Sequence, residues 1–343
     1  MLMKKNFLII LIFVCSLTSS LFAQNTVKTD PVAENMLIHQ RHNGGWMKNV
    51  DYSKSITEEE RQSILKDAIK NDATIDNNAT YKEITYLIKF YKVSNNPTYL
   101  KAAERGLDYL FMAQYDNGGW PQYYPDTSLY RSQVTFNDNA MINVMTLMYD
   151  LANKQNGFEL VDPSYTSKAK RAVDKGVSFI LKAQIKTDGK LTAWAQQYNK
   201  KTIEPEIARK YELVGLTASE TVGIVEFLMK LPNPSVEIKN SVTSAVNWLS
   251  LVKIKGYKTT NITDPLQASK RDRIVVPDPD AVMWARYYDI GTNRPFFCGR
   301  DGIKKYNLSE IENERRIGYA WYGNWPVKLL ETDYPEWLKK WAN

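Results

Sequence analysis

Apolar residues recur at helical spacing along most of the chain, and loops rich in glycine and aromatic residues separate the segments that carry them. Ile84, Leu87, Ile88 and Tyr91 are an example. Residues three and four positions apart lie on the same face of a helix. Thr80 with Glu83, and Thr57 with Glu60, match the pattern in which a threonine and a glutamate three residues later cap a helix start reciprocally. The chain is therefore predicted to be built mainly from α-helices.

A repeat underlies this pattern. Two predicted helices end in Ala-Gln, at residues 113–114 and 183–184, and a loop with glycine, tryptophan, glutamine and tyrosine follows each. Trp46, Trp120 and Trp194 are spaced by 74 residues each time. Because such a length holds two helices and their loops, we expect about three helical hairpins arranged as an (α/α) toroid, with one set of loops on one face. The alternative is a coincidence of three loops in an ordinary helical protein.

The chain after Lys270 departs from the repeat. Pro277, Pro279 and Pro295 interrupt it, and this part is predicted to form long loops and short strands. No flexible linker divides the sequence. Residues 24–343 are therefore predicted to form a single domain.

The first 23 residues have the pattern of an export signal. Lys4 and Lys5 precede an apolar run over residues 7–17, and Ala23 provides a small residue for cleavage. The run is shorter than the ~20 apolar residues of a membrane span, and no second run follows, so no span is expected. The protein is predicted to be exported, either to the periplasm or out of the cell, and we expect a monomer.

The net charge narrows the range of partners only slightly. It is +7, and Lys4 and Lys5 contribute two of these charges. A moderate positive excess suits an acidic ligand, but no zinc-finger, basic-run or RNA-module signature supports nucleic acid. Cys298 is the only cysteine after residue 23, so the domain has no internal disulfide. We expect its side chain to be buried rather than to act as a nucleophile.

Histidine is too scarce for the common histidine-based sites. Only His39 and His42 occur, and no nucleophile-elbow, phosphate-loop or dinucleotide motif is present. Acids instead recur near the tryptophan loops, where Asp76, Asp138 and Glu220 take comparable places before predicted helices. Clustered carboxylates repel one another unless a cation lies between them, and calcium takes oxygen ligands of this kind. Helix capping is an equally good explanation of each acid.

Aromatic and arginine side chains in the loops suit the recognition of an acidic sugar. Trp46 and Trp120, in glycine-rich loops, are either sugar-stacking rings or core residues. Arg294 and Arg300 lie in a turn-rich stretch, and arginine binds carboxylates through two parallel hydrogen bonds. Surface ion pairs of little consequence explain most of the other arginines in the last third of the chain.

Eight segments that follow one another along the chain carry a family resemblance. They are residues 43–46 (NGGW), 75–80 (IDNNAT), 118–122 (GGWPQ), 135–141 (TFNDNAM), 207–212 (IARKYE), 284–288 (WARYY), 292–302 and 314–322 (ERRIGYAWY). Together they resemble the pectate lyases of polysaccharide lyase family ten. The likeness spans nearly the whole predicted mature chain. It departs from the family pattern at Asn199, where that pattern usually has aspartate.

The resemblance implies a helical toroid with a groove for polygalacturonate, a calcium ion and an arginine that acts as the base. It implies calcium-site carboxylates at Asp76 and Asp138, with Asn77 in the same site, and a catalytic arginine at Arg209. The carboxylate-binding arginines that it implies are Arg286 and Arg300, with Arg294 as a competitor.

The sequence therefore predicts a pectate lyase. It would cleave α-1,4-linked galacturonan by calcium-assisted β-elimination and release unsaturated oligogalacturonides. Two other functions stay open. One is a glycoside hydrolase with an acid-base pair drawn from Asp76, Asp138 and Glu220. The other is a non-catalytic protein that binds acidic polysaccharide.

Overall fold

The computed structural model describes residues 28–126 and 128–341. The predicted export signal, residues 1–23, lies outside these residues. Within them, no helix is both long enough and apolar enough to cross a membrane.

Helices are the main regular structure of the described chain. In chain order the α-helices are α1 (Pro31–His39), α2 (Glu58–Lys66), α3 (Tyr81–Ser94), α4 (Pro97–Ala113), α5 (Ala140–Ala152), α6 (Ser164–Ala183), α7 (Ala218–Lys230), α8 (Val236–Leu251), α9 (Asn313–Gly318) and α10 (Tyr334–Trp341).

The strands pair in antiparallel fashion, and most are two residues long. They are β1 (Val134–Thr135), β2 (Lys186–Thr187), β3 (Lys190–Leu191), β4 (Gln197–Tyr198), β5 (Leu216–Thr217), β6 (Ile254–Thr263), β7 (Arg271–Ala285), β8 (Tyr287–Tyr288), β9 (Phe297–Cys298), β10 (Lys304–Lys305) and β11 (Tyr322–Gly323). The pairs are β1–β4, β2–β3, β5–β8, β9–β10, β6–β7 and β7–β11.

Three helical hairpins form the body of the protein. α3 packs on α4, α5 on α6 and α7 on α8, and α5 contacts both α3 and α7. Helices α5 and α7 bury most of their residues, whereas α4 and α6 bury one face. This is the pattern of an inner and an outer helix layer. The predicted fold, an all-α dominated (α/α) toroid of about three helical hairpins, is confirmed.

The tryptophans of the repeat are buried at equivalent places. Trp46, Trp120 and Trp194 are each 0 % exposed. Each indole nitrogen donates a hydrogen bond of 2.8 Å to a backbone carbonyl of a preceding helix: Trp46 to Met36, Trp120 to Leu110 and Trp194 to Ile180. The 74-residue spacing therefore reflects a true structural repeat.

Glutamines at the helix ends, two of them buried, tie each unit to the next. Their side-chain nitrogens donate to carbonyls in the next outer helix: Gln40 to Ala102 at 2.8 Å, Gln114 to Ala172 at 2.9 Å and Gln184 to Ser241 at 3.0 Å. The Ala-Gln endings seen in the sequence are two of these three positions. The third, Gln40, shows that the repeat begins with α1.

A fourth unit follows where the sequence pattern ends. Trp284 is buried, and its indole nitrogen donates to Leu249 at 2.7 Å. The third and fourth units also share a backbone hydrogen bond. The nitrogen of the residue after the tryptophan donates to a tyrosine hydroxyl, from Ala195 to Tyr198 in the third unit and from Ala285 to Tyr288 in the fourth. The departure from the repeat that was predicted after Lys270 is one of spacing, because the long hairpin β6–β7, which ends at Ala285, lengthens the interval before Trp284.

Close contact between units requires glycine at two loop positions. Gly44 and Gly118 have φ angles of 94° and 97°, a region that favours glycine. A Cβ atom would also collide with the carbonyl of Arg105 at the first position and of Lys175 at the second. The loops before Trp46 and Trp120 are therefore held against the next outer helix.

One of the two predicted capping boxes is present. Thr57 and Glu60 exchange hydrogen bonds at the start of α2. The prediction for Thr80 was wrong, because its φ angle is 65° and its hydroxyl donates instead to the Thr74 carbonyl at 2.8 Å. Its partner Glu83 is fully buried in α3.

The burial of Glu83 makes stability depend on pH. The Tyr52 hydroxyl donates to one carboxyl oxygen at 2.8 Å, and the other oxygen has no partner. Burial raises the pKa of Glu83 from 4.5 to about 7. The folded state therefore binds the carboxyl proton of Glu83 more tightly than the unfolded chain does, so stability is lost as pH rises from 4.5 through about 7.

We expect Glu83→Gln to remove this loss. Above pH 7 the variant should gain up to about 3 kcal/mol of unfolding free energy over the parent, and at pH 4 the gain should vanish. Urea unfolding at both pH values measures the difference. Glu59→Gln, at an exposed position of α2, is the control. An equal effect of Glu83→Gln at both pH values would contradict the assignment.

A second, smaller core holds the C-terminal loops. Tyr287, Phe296, Phe297 and Trp321 pack together in it with Cys298. Cys298 is buried, as predicted, and burial raises the pKa of its thiol. A thiol of this kind is a poor nucleophile.

Candidate active site

Backbone hydrogen bonds bring the loops of successive units together on one face. A threonine nitrogen donates to each tryptophan carbonyl: Thr74 to Trp46, Thr135 to Trp120 and Thr217 to Trp194, at 2.9–3.2 Å. The backbone nitrogen of the residue after each threonine donates to a backbone carbonyl in the next unit, two positions after that unit's tryptophan. These bonds join Ile75 to Gln122, Phe136 to Gln196 and Ala218 to Arg286. The three threonines are therefore equivalent, and they fix the register of the residues that follow them.

This register corrects the alignment of the three acids. Asp138 and Glu220 each stand three residues after their threonine, at the position that Asn77 takes in the first unit. Asp76 stands one residue earlier, so its place is comparable to those of the other two acids but not equivalent to them. Asn77 and Asp138 both have a φ angle of 50°, so the two turns have matching backbone conformations.

Arg286 is the centre of a buried polar cluster. Its Nη2 atom lies 2.9 Å from Asp138 Oδ1 and 2.5 Å from Glu220 Oε1. Arg286 and Glu220 are both buried, whereas Asp138 is 44 % exposed. Burial works against the charge, but Glu220 and the other neighbouring groups raise the pKa of Arg286. Arg286 is thus a permanent cation beside an accessible carboxylate.

Glu220 is the buried counter-ion of this cluster. Besides Arg286, Gln196 donates to its Oε1 atom at 3.0 Å, and its Oε2 atom has no partner. Gln196 also accepts from the Tyr287 hydroxyl at 2.6 Å. The sequence showed the placement of Glu220 but not its role, which depends on residues far away in the chain.

Lys48 is a site residue that the sequence analysis missed. It forms an ion pair with the buried carboxylate of Asp76 and lies over the ring of Tyr123. A sequence signal for it existed. Lys48 stands two positions after Trp46, as Gln122, Gln196 and Arg286 stand two positions after their tryptophans. These four positions contribute polar side chains to one face of the repeat.

The residues predicted to hold calcium fit the ion in donor chemistry. The carboxylates of Asp76 and Asp138 and the amide oxygen of Asn77 are oxygen ligands, which calcium prefers. Asp138 is open to solvent, and Glu220 Oε2 nearby is a buried carboxylate oxygen without a partner. No group of three His, Cys, Asp or Glu side chains in residues 28–126 and 128–341 forms a metal site by itself. Amide, water or substrate oxygens would therefore complete the coordination.

A second cluster gathers three arginines around one tyrosine. The guanidinium carbons of Arg209, Arg300 and Arg315 lie 5.3, 4.6 and 4.9 Å from the ring centroid of Tyr211. Arg315 also lies 4.9 Å from the ring of Tyr319. The predicted residues Arg209 and Arg300 are thus brought together, although 91 positions separate them in the sequence.

Tyr319 joins the two clusters into one surface. Its ring contacts Arg286 at 4.8 Å as well as Arg315 at 4.9 Å. Arginines and aromatic rings therefore follow one another from Asp138 to Arg209. Such a row suits a polymer that carries a carboxylate on every sugar.

Arg209 is held by a neighbouring carboxylate. Its Nε and Nη2 atoms both donate to Glu212, the first of them at 2.8 Å. The bond to Glu212 raises the pKa of Arg209, whose side chain is 45 % exposed. This is the opposite of what a base requires, so the contact must be released before Arg209 can accept a proton.

Arg294 stands apart from these clusters. Its guanidinium carbon lies 3.7 Å from the ring centroid of Tyr306. The backbone nitrogen of Asp289 donates to the backbone carbonyl of Arg294 at 2.9 Å, as that of Asn199 donates to the carbonyl of Glu204 in the third unit. Arg294 therefore belongs to a repeated loop, whereas Arg300 lies in the cluster around Tyr211.

The unusual Asn199 leaves its loop intact. Its side-chain oxygen accepts from the backbone nitrogens of Lys201 at 2.8 Å and Thr202 at 3.1 Å. An aspartate oxygen at this position makes the same turn. The departure from the family pattern is therefore conservative.

The prediction that Trp46 and Trp120 stack on sugar rings was wrong. Both are fully buried, and both indole nitrogens bond to backbone carbonyls of preceding helices. The glycines beside them let the loop turn the rings inward. Their role is to pack one repeat unit against the next.

Comparison with known proteins places the chain in a family. The family model described as pectic acid lyase matches residues 40–330. The chain belongs to this family. A solved family 10 polysaccharide lyase from Cellvibrio cellulosa is 34 % identical, with a TM-score of 0.78 over 93 % of this chain and 94 % of its own.

A second solved structure supports the same assignment. It is a mutant of the Cellvibrio cellulosa family 10 polysaccharide lyase in complex with trigalacturonic acid, 34 % identical, with a TM-score of 0.77 over 93 % of this chain and 95 % of its own. A comparison with curated proteins finds no match. The predicted enzyme class, a polysaccharide lyase of the pectate lyase type, is confirmed, and the hydrolase and the non-catalytic binder are not favoured.

Proposed function

We propose that this pectate lyase cleaves polygalacturonate by calcium-assisted β-elimination. The observation that carries the proposal is the continuous row of arginines and aromatic rings beside Asp138. The related lyase bound to trigalacturonic acid supports a galacturonate substrate. A chain of negatively charged sugars would lie along the row with its carboxylates on the guanidinium groups.

The calcium-binding residues are proposed to be Asp76 and Asp138, with Asn77. When bound, calcium would supply Lewis acidity at the carboxylate next to the bond that breaks. Arg286, beside Asp138, would hold the same carboxylate and stabilise the negative charge that develops on it. Arg300 would bind the carboxylate of a neighbouring sugar.

Arg209 is proposed to remove the proton from C5. The electrons of the C5–H bond form the C4–C5 double bond, the C4–O bond breaks, and the departing oxygen takes a proton from solvent. Arginine is normally protonated. Release from Glu212 and the nearby cations would lower the pKa of Arg209, so the rate is expected to rise into the alkaline range.

Ultraviolet absorbance during digestion of polygalacturonate tests the reaction. We expect an absorbing unsaturated product, loss of activity with a calcium chelator, and recovery when calcium is added back. A saturated product with new reducing ends would establish a hydrolase. Binding without any fall in viscosity would establish a non-catalytic protein.

The cellular setting is also proposed from the sequence. Residues 1–23 have the pattern of an export signal, and a polysaccharide substrate would be degraded outside the cytoplasm. We propose an exported, monomeric, single-domain enzyme of residues 24–343. Mass spectrometry of the protein recovered from the periplasm or medium should give a chain that begins at Gln24.

A further inference from the structure

Helix α6 carries an unbalanced positive charge on its outer surface. Its exposed basic side chains are Lys168, Lys170, Arg171, Lys175 and Lys182. Its only acidic residue is Asp174, so five positive charges minus one negative charge leave a net charge of +4. Within residues 28–126 and 128–341, none of these five cations forms an ion pair at 4.0 Å or less. The charge of α6 is therefore not neutralised by the part of the protein that the structure describes.

The structural repeat provides an internal comparison for this charge. The other two outer helices, α4 and α8, take the same place in their own hairpins. α4 has two basic and two acidic residues, and α8 has one of each, so both are neutral. Because the same layer is built from neutral helices on either side, the packing of the toroid does not require the positive charge of α6.

Four of the five cations form a line along one face of the helix, here called the α6 line: Lys168, Arg171, Lys175 and Lys182. Side chains three, four or seven positions apart are neighbours on a helix surface, and like charges at this spacing repel one another. The line is about 21 Å long at a rise of 1.5 Å per residue. Asp174 lies outside it, in the wall of a cavity beside Tyr149. An extended anion along the line would relieve the repulsion.

The α6 line leads to the face of the protein that carries the site. Lys182 lies at the end of α6, and the loop that follows brings Gln196 to Glu220, to which it donates at 3.0 Å. Lys175 lies two turns earlier, against the loop that precedes Trp120. A Cβ atom at Gly118 in that loop would collide with the Lys175 carbonyl.

A further cation follows on the next loop. Tyr115 lies in the same loop as Gly118, and the amine of Lys200 lies 5.6 Å from the centroid of its ring. The side-chain nitrogen of Asn117 donates to the Lys200 carbonyl at 2.7 Å, which fixes the backbone there. Lys200 therefore continues the positive surface from Lys175 toward the centre of the loop face.

A polar cavity connects Lys200 with the catalytic row. The cavity has a volume of about 390 Å³, and Lys200, Lys201 and Glu206 contribute the charges of its wall. Gln133, also in the wall, donates at 2.8 Å to the carbonyl of the residue two positions before Arg209. Cationic side chains thus follow one another from the outer helix to Arg209.

We propose that the α6 line and Lys200 form a second binding surface for acidic polysaccharide, outside the catalytic groove. This role rests on the function proposed above. While one stretch of a galacturonan chain lies in the groove, the continuation of the same chain lies on this surface, where its carboxylates meet the exposed cations. The second contact is intramolecular once the first has formed, so it strengthens binding of long chains without affecting short oligomers.

Neutral variants of the α6 line test this surface. In the triple variant Lys168→Gln, Arg171→Gln, Lys175→Gln, we expect KM for polygalacturonate at low salt to rise by about 10-fold, because exposed ion pairs contribute a factor of about 2 each. We expect kcat to stay unchanged. At about 1 M salt, where the screening length falls to about 3 Å, the KM values of variant and parent should converge.

A short ligand separates this surface from the groove. Trigalacturonic acid fills the groove without reaching α6, so its dissociation constant should be the same with and without the triple variant. Calorimetric titration in an Arg209→Lys background, which prevents cleavage, measures it. The single variant Lys200→Gln should raise KM for the polymer by about 2-fold.

A matched triple variant controls for the loss of net charge. Lys154→Gln, Lys339→Gln, Lys340→Gln removes the same charge from exposed positions. Lys154 follows the end of α5, and α10 packs beside the end of α7, so both lie away from the loop face. The control should leave KM for the polymer unchanged. Native electrophoresis through a gel that contains polygalacturonate and a calcium chelator should retard the parent and the control more than the α6 variant.

Three outcomes would overturn the second surface. An unchanged polymer KM in the α6 variant at low salt would make the line a solvated helix face. An equal loss of affinity for trimer and polymer would place the effect in the groove. Loss of binding to phosphatidylglycerol vesicles, with the polymer KM unchanged, would assign the line to a membrane. Absence of an unsaturated product from the parent would instead refute the proposed function, and retardation in the gel would still report on the surface.

Discussion

Arg209→Lys is expected to lower kcat on polygalacturonate by about 10²- to 10⁴-fold, the usual contribution of a positioned general base. Lysine keeps the charge but ends in a single nitrogen on a flexible stem, so the proton acceptor leaves its position. A displacement of about 1 Å costs roughly 10²-fold in rate. Because the Arg209 side chain is 45 % exposed, the melting temperature should barely change.

The companion variant Glu212→Gln tests the protonation of Arg209. Glu212 raises the pKa of Arg209, so its neutralisation should lower that pKa. The neutral base would then form at lower pH, so the rise in rate with increasing pH should begin closer to neutrality. A rise that begins at the same pH in Glu212→Gln, or near-normal turnover in Arg209→Lys, would show that another group takes the proton.

Trp120→Ala is expected to lower the free energy of unfolding by about 3–5 kcal/mol, the cost of deleting a large buried aromatic side chain. The ring is fully buried, and its nitrogen bonds to Leu110 at 2.8 Å. A Cβ at Gly176, in the next outer helix, would lie 3.3 Å from the ring. The cavity would therefore open at the boundary between two repeat units, where little else can fill it. Urea unfolding measures the loss.

Trp120→Phe separates packing from sugar binding. Phenylalanine keeps an aromatic ring but loses the bond to Leu110, so stability should fall by less than in Trp120→Ala while KM stays unchanged. Tyr257→Ala, at an exposed aromatic residue on β6, should leave stability nearly unaffected. A stable Trp120→Phe enzyme with a tenfold higher KM would restore the sugar-stacking role that the buried ring argues against.

The repeat was readable in sequence because it depends on local features. In the first three units, a tryptophan lies 10 to 14 residues after the residue whose carbonyl receives its indole bond, and a glutamine follows the end of that helix. The fourth unit escaped detection because β6–β7 lengthens the interval from Trp194 to Trp284 to 90 residues. Regular spacing reveals a repeat only while no insertion interrupts it.

The site was less readable because its contacts are long-range. Arg286 meets Asp138 across 148 positions and Glu220 across 66. Lys48 is visible only when the tryptophans are already aligned. The one-residue offset of Asp76 follows from the backbone hydrogen bonds that set the register of the loops, and these bonds cannot be read from the sequence.

The sequence by itself determined the helical class, the repeat, the family resemblance and the chemical types of the site residues. These follow from periodicity, turn-forming residues and long ordered motifs, all of which are local. Only the tertiary structure decided which aromatic rings face the core and which arginines converge on Tyr211 and Tyr319. It did so because the direction of a side chain, and whether a charge finds a partner, depend on neighbours that the chain brings together only when it folds.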